Sequence, residues 1–208
     1  MGVRLWKQFW AQKGSALPNL GGRSRLAPPL RVQGMNFVDH QQRILERIER
    51  RTARVAVIGL GYVGLPLAVA LARAGFATVG IDLDTRKVGA LRRGESYVGD
   101  VPEQDVAEVV HAGTFTATSD YSVLRECDAV SICVPTPLSK THDPDLSFVI
   151  AATESVARHI HPGLLIVLES TTYPGTTDEI ILPRLIANGY RAGEDVCVAV
   201  SPERTDPG

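Results

Sequence analysis

The run Val55-Ala-Val-Ile-Gly-Leu-Gly-Tyr-Val-Gly-Leu-Pro-Leu-Ala68 constrains this chain more than any other stretch. Val55 to Ile58 reads as a short buried strand, and the residues after Gly64 continue as a helix. Between them lies Gly59-Leu-Gly-Tyr-Val-Gly64, a G-x-G-x-x-G turn in the strand–turn–helix setting where that spacing signifies dinucleotide binding. Each glycine has a separate reason. Gly59 permits the tight turn, Gly61 admits close backbone approach to a pyrophosphate, and Gly64 lets the helix pack against the strand. Phosphates then meet unpaired N–H groups at the positive end of the helix dipole.

The next strand decides whether the turn is more than a glycine cluster. Ala77 to Ile81 is a β run that delivers Asp82 at its end, 18 residues beyond Gly64. A carboxylate that holds the adenosine ribose hydroxyls is expected about 20 residues on. An acid here favours NAD over NADP, because it repels a 2′-phosphate. Arg86 and Lys87 follow closely and pull the other way.

Strands and helices alternate along the rest of the chain. A helix capped by Asp39 runs to about Arg51 with a narrow apolar stripe of Ile44, Leu45 and Ile48, which suits a surface lead-in. Helices follow over 84–93 and from Pro102 to about His111, then a strand over Thr114–Thr118 and a brief helix over Tyr121–Glu126. Strand four, Ala129–Val134, breaks at Pro135-Thr136-Pro137. Asp145 caps the next helix, Leu164–Leu168 is strand five, and Thr176 with Glu179 forms a capping box for a helix to about Asn188. Strand six is Val196–Val200. Continuous apolar strands separated by helices mean a parallel sheet covered on both faces. The fold expected is α/β, a doubly wound six-stranded parallel sheet of Rossmann type, in the order 3-2-1-4-5-6.

Composition excludes several function classes. The 44% apolar and 22% charged content is that of a soluble globular protein, and a net charge of −1 gives no reason to expect nucleic acid. No apolar run approaches the roughly 18 residues of a membrane span. Cys127, Cys133 and Cys197 are an odd set without C-x-x-C spacing, which points to a reducing, cytoplasmic location rather than a zinc knuckle or disulfide framework. Cys133 lies among apolar strand neighbours and reads as a buried structural thiol. The five histidines show no ligand spacing, and His159 and His161 read as charges at a helix C-terminus, so no metal is assigned.

Charge is unevenly spread. Residues 1–34 hold six Lys and Arg and no Asp or Glu, and are rich in Gly and Pro. Residues 1–38 are expected to be a basic, disordered extension, or translated upstream sequence with the start at Met35, ahead of a nucleotide-binding domain over 39–208. A targeting peptide is disfavoured because no apolar core or cleavage site follows the charges.

In open α/β sheets ligands bind beyond the carboxyl ends of the strands, at the switch point. That rule selects the glycine loop, Asp82, the Pro135-Thr136-Pro137 loop, Glu169 to Thr172, and Glu203. Position alone leaves Thr136 as either a turn residue or a hydroxyl offered to the cofactor. For Glu203 it favours a solvated surface acid over a general base acting on water.

Four stretches taken together resemble the UDP-glucose/UDP-N-acetylmannosamine dehydrogenase family. They are Gly59–Ala68, Cys133-Val-Pro-Thr-Pro-Leu138, Leu168-Glu-Ser-Thr-Thr-Tyr-Pro-Gly-Thr-Thr177 and Ser201-Pro-Glu-Arg-Thr-Asp-Pro-Gly208. The last two resemble the UDP-N-acetylglucosamine 6-dehydrogenase branch most. The resemblance implies an NAD-dependent, two-step oxidation of a UDP-sugar C6 alcohol to a carboxylate for polysaccharide biosynthesis. It implies Gly59, Gly61, Tyr62, Val63 and Gly64 at the cofactor phosphates, Asp82 and Lys87 on the adenosine side, and Thr136 and Thr171 along the cofactor. It further implies that Thr171 positions a water and that Glu203 assists hydrolysis of a thioester, and that the parent enzyme is a homo-oligomer. The family's Gly-x-Gly-Gly-x-Cys motif, catalytic lysine and linking helix do not occur in these 208 residues. The chain is therefore expected to be an NAD-binding half, inactive alone, with a stand-alone NAD-binding or regulatory module as the alternative.

Deleting residues 1–34 is expected to leave folding and NAD affinity unaltered. A melting temperature lowered by more than a few degrees would contradict the disordered-extension reading.

Overall fold

The computed structural model describes residues 37–137, 144–170, 172–173, 175–187 and 189–201, with side chains from His40 onward. The basic segment therefore lies outside the described residues. The first helix, α1 (Phe37–Glu49), starts ahead of Asp39, so Asp39 is within the helix and not its cap. Then come β1 (Arg54–Ile58), α2 (Gly64–Arg73), β2 (Ala77–Ile81), α3 (Thr85–Arg92), α4 (Glu103–His111) and β3 (Phe115–Thr118). A 3₁₀ turn over Tyr121–Glu126 leads to β4 (Ala129–Ile132), α5 (Ser147–Ala157) and β5 (Leu165–Leu168). A π-helical turn over Thr177–Ile181 merges into α6 (Leu182–Ile186), and β6 (Cys197–Val200) follows.

The six strands form one sheet in the order β3-β2-β1-β4-β5-β6, every pair parallel. This is the topology expected from the alternation of strands and helices. Its register places Thr118, Ile81, Ile58, Ile132, Leu168 and Val200 side by side at the carboxyl ends. Backbone bonds continue one residue further, from Gly59 N–H to Ile81 C=O (2.8 Å) and from Cys133 N–H to Ile58 C=O (2.8 Å). Glu169 N–H likewise reaches Ile132 C=O (3.0 Å), and Ser201 N–H reaches Leu168 C=O (2.9 Å). One row of strand ends thus carries Asp82, Gly59, Cys133, Glu169 and Ser201.

Alternating residues of each strand bury against opposite layers. Ala56, Ile58, Val130 and Ile132 pack with Val149, Val156 and Leu185 on one side. Val57 faces the other way, onto Leu65, Ala68 and Ala72 of α2. The lead-in helix is more deeply joined to the domain than a surface stripe suggests. Ile44 is buried among Val55, Phe76, Leu165 and Cys197, while Leu45 turns outward. Arg47 anchors α1 through Asp128 (2.6 Å), whose other oxygen accepts the Arg54 N–H (2.8 Å).

Two further local expectations change. Thr176 is already helical and its hydroxyl donates to Tyr173 C=O (2.8 Å), while Glu179 N–H goes to Gly175 C=O (2.9 Å), so no capping box forms. Pro183 brings no N–H to the next turn, and the chain widens so that Leu182 N–H reaches back to Thr177 C=O. The histidine rings do not bond the last carbonyls of α5. The ring nitrogens of His161 lie 3.0 Å from Cys127 C=O and 3.1 Å from Pro162 C=O, four residues past the end of α5. Burial, followed by Arg125 and Arg158, pushes the His159 pKa down, which opposes a positive charge there. All three cysteines are buried, which for Cys133 agrees with its reading as a buried thiol. Burial raises the Cys127 thiol to about 11.

Candidate functional site

The site is built where β1 hands over to α2. Gly59 takes φ +88°, and a side chain on it would put a Cβ 2.8 Å from Cys133 O at the end of β4. Gly64 is tighter still. Its Cβ would lie 1.8 Å from Gly59 O and 3.1 Å from the Cys133 Cβ. Both glycines are demanded by the protein's own packing. Gly61 is not, since a Cβ there meets nothing within 4 Å. The loop therefore leaves open space at the one glycine whose role is to admit a ligand's phosphates.

Val63 precedes α2 without any side-chain cap, and no acid lies in the first helical turn. Among the described residues, the N–H groups of Gly61, Tyr62 and Val63 donate to no protein acceptor. These donors at a helix N-terminus form a cradle suited to an anion. Tyr62 is 72% exposed beside it, whereas Val63 packs into the core.

Asp82 stands next to this cradle with its side chain only 12% exposed. Its Oδ2 accepts the Leu60 N–H (3.0 Å) from inside the glycine loop, and its Oδ1 accepts the Asp84 N–H (2.9 Å). Lys87 Nζ lies 3.5 Å from Oδ2 and sits over the Tyr97 ring, 5.6 Å from its centroid. Tyr97 in turn donates its hydroxyl to Leu60 C=O (2.7 Å). Burial first, then the charges of Asp82 and Asp84, raises the Tyr97 pKa, so the phenol remains a donor at neutral pH.

The two cations that argued against NAD are held by acids. Arg86 forks onto Asp84 through Nε (3.1 Å) and Nη2 (2.9 Å), and Asp84 also caps α3 by accepting the Arg86 N–H (2.9 Å). The Arg86 side chain, then its backbone N–H, lowers the Asp84 pKa to about 2. Lys87 is engaged by Asp82.

At the far wall, Cys133 and Val134 lie against Gly59, and half-buried Thr136 comes two residues later. Glu169 and Ser170 are buried at the end of β5. Ser170 Oγ donates to Val134 C=O (2.7 Å) and Ile132 C=O (3.3 Å), so this hydroxyl ties β5 to β4. Thr171 and Glu203 lie outside the described residues. The structure thus brings Gly59, Gly61, Gly64, Asp82 and Lys87 together, with Tyr62 and Val63 on the same loop. Sequence reading missed Leu60, Asp84 and Tyr97. Asp84 carried a signal as an acid before a helix; Tyr97, 37 residues from Leu60, carried none. No group of metal-binding side chains occurs among the described residues. Nor is any helix among them long and apolar enough to cross a membrane.

Residues 53–208 match the model of the UDP-glucose/GDP-mannose dehydrogenase family, NAD binding domain. The chain is 38% identical over 156 residues to UDP-N-acetyl-D-glucosamine 6-dehydrogenase of Pseudomonas aeruginosa, covering 74% of this chain and 36% of that protein. It is 40% identical over 159 residues to UDP-N-acetyl-D-mannosamine dehydrogenase of Pyrococcus horikoshii, covering 74% and 37%. A crystal structure of NDP-N-acetyl-D-galactosaminuronic acid dehydrogenase from Methanosarcina mazei superposes with a TM-score of 0.71 at 36% identity, over 78% of this chain and 37% of that one. The chain thus spans little more than a third of the length of these relatives.

The glycines are separable by experiment. Gly64→Ala is expected to cost about 3 kcal/mol or more of stability by backbone clash, lowering the melting temperature by about 6–12 °C. Gly61→Ala is expected to keep the melting temperature and weaken nucleotide binding. Equal thermal losses for the two variants would contradict the distinction.

Proposed function

This chain belongs to the UDP-glucose/GDP-mannose dehydrogenase family, and we propose that residues 39–208 are the NAD-binding half of an oxidoreductase that converts the C6 alcohol of a UDP-sugar to a carboxylate. The observation that carries this reading is the pairing of the open space at Gly61 with the Asp82 carboxylate fixed beside it. NAD supplies the hydride acceptor for such an oxidation. The residues of this chain bind and orient it. The glycine-loop N–H groups and the N-terminus of α2 neutralise pyrophosphate charge, and the Asp82 carboxylate accepts the ribose hydroxyls. Lys87 serves the adenosine side with it, and Thr136 lines the cofactor from the β4 end.

Thr171 and Glu203 enter by family resemblance alone, Thr171 to position a water and Glu203 to assist hydrolysis of a thioester. The relatives carry names for two UDP-N-acetylhexosamines at 38% and 40% identity, which supports that class of substrate. UDP-N-acetylglucosamine is favoured within it by the Tyr173-Pro-Gly-Thr-Thr177 and Ser201–Gly208 motifs. A homo-oligomeric parent enzyme is proposed on the same resemblance. An odd set of three cysteines without C-x-x-C spacing supports a reducing cytoplasm as its location.

NAD is expected to bind more tightly than NADP, because the Asp82 carboxylate repels a 2′-phosphate and engages Lys87. Calorimetric titration of the 208-residue chain tests this, and equal or tighter NADP binding would refute it. Asp82→Ala should weaken NAD binding by roughly 1.5–3 kcal/mol, or about 10- to 100-fold, the worth of hydrogen bonds to a charged acceptor. Asp84→Ala should release Arg86 and narrow the gap between the two cofactors.

A further inference from the structure

We propose that Tyr97 is a positioning residue of the cofactor site, setting the orientation of the Leu60–Gly61 peptide so that the loop presents N–H groups to a pyrophosphate. The inference rests on the reading of the glycine loop as the NAD site and assigns a role there to a residue far away in sequence.

Leu60 is held at both of its polar groups. Its N–H donates to Asp82 Oδ2 (3.0 Å), and its C=O accepts from the Tyr97 hydroxyl (2.7 Å). These partners arrive from different segments, the end of β2 and the connection between α3 and α4. The peptide that follows Leu60 is planar and trans, so its N–H, on Gly61, points opposite to the Leu60 C=O. With that carbonyl turned onto Tyr97, the Gly61 N–H is directed away from Tyr97.

On the Gly61 side of the peptide little enforces this orientation. Glycine tolerates both signs of φ, so flipping the Leu60–Gly61 peptide meets little resistance at Gly61 itself. Packing restrains the Leu60 side, which is fully buried, but not the Gly61 side, where the space around a Cβ is open. The loop needs Gly61 for access and thereby gives up backbone stiffness. Tyr97 restores it with one hydrogen bond. The side chain suits that task, being 36% exposed with its hydroxyl on the loop and its ring beneath Lys87.

Tyr97→Phe keeps the ring and the Lys87 contact and removes only the bond to Leu60. Dissociation constants for NAD, ADP and adenosine are measured for the wild-type chain and the variant, together with melting temperatures. Tyr97→Phe is expected to raise the constants for NAD and ADP by about 5-fold, the worth of one neutral hydrogen bond. The adenosine constant should stay unchanged, and the melting temperature should fall by no more than about 2–4 °C, the stability worth of one such bond. Lys87→Met is the control, expected to weaken adenosine and ADP alike because Lys87 acts on the ribose side.

Unchanged NAD and ADP binding by Tyr97→Phe overturns the proposal. So does an equal loss for adenosine and ADP, which marks a general structural tether. An ADP-selective loss in Lys87→Met also overturns it, because the effect then runs through Asp82. Should Tyr97→Phe fail to fold, the amide spectrum of the wild-type chain decides. The Gly61 amide must then shift on adding ADP and not on adding adenosine, and the opposite result refutes the assignment. A wild-type chain that binds neither NAD nor ADP brings down the reading of the site itself, a result distinct from all of these.

Discussion

The structure depends on one close approach. Gly64 sits so near the Gly59 carbonyl that a methyl group in place of its hydrogen would lie 1.8 Å from the oxygen. That contact lets α2 start directly over the end of β1, and it brings the helix against Cys133 just past the end of β4. Leu65, Ala68, Val69 and Ala72 can then bury on the sheet beside Val57. The same approach aims the helix N-terminus across the point where β2 and β4 flank β1. The packing of α2 and the anion site proposed at its N-terminus therefore share a cause.

The charges around the glycine loop are arranged in pairs. Asp82 and Asp84 leave β2 two residues apart, and each takes one of the two cations that follow. The pairings differ in depth. Asp84 and Arg86 lie toward solvent, with Arg86 90% exposed, so water and salt screen their attraction. Asp82 is mostly covered and bonds two backbone N–H groups as well as Lys87. Such a carboxylate is held in one orientation before any ligand arrives, which lowers the ordering cost of binding.

Much of this was legible in the chain. The runs Ala77–Ile81 and Ala129–Ile132 are strands as read, because all their residues but Ala77 are buried, the small polar Thr78 and Ser131 included, so no polar-out alternation is needed. Gly59, Gly64 and Asp82 could be named because their spacing follows from a strand of fixed rise joined to a helix. The capping box at Thr176 was misread. The local pattern was right for a cap, but Gly175 at φ +96° and Pro183 moved the start of the helix and widened its first turn. Asp39 failed similarly, since α1 begins at Phe37 and takes its anchorage from buried Ile44 and the Arg47–Asp128 pair.

The sequence by itself determined the order of the strands, the parallel sheet and the glycine loop, because these follow from periodicity, chirality and short connections. Only the tertiary structure decided how that loop is held. Leu60 meets Asp82 across 22 residues and Tyr97 across 37, and Ser170 reaches Val134 across 36. No periodicity relates such positions. They meet because the sheet sets its strand ends in one row and the connections return over them, so their partners are fixed by register and packing.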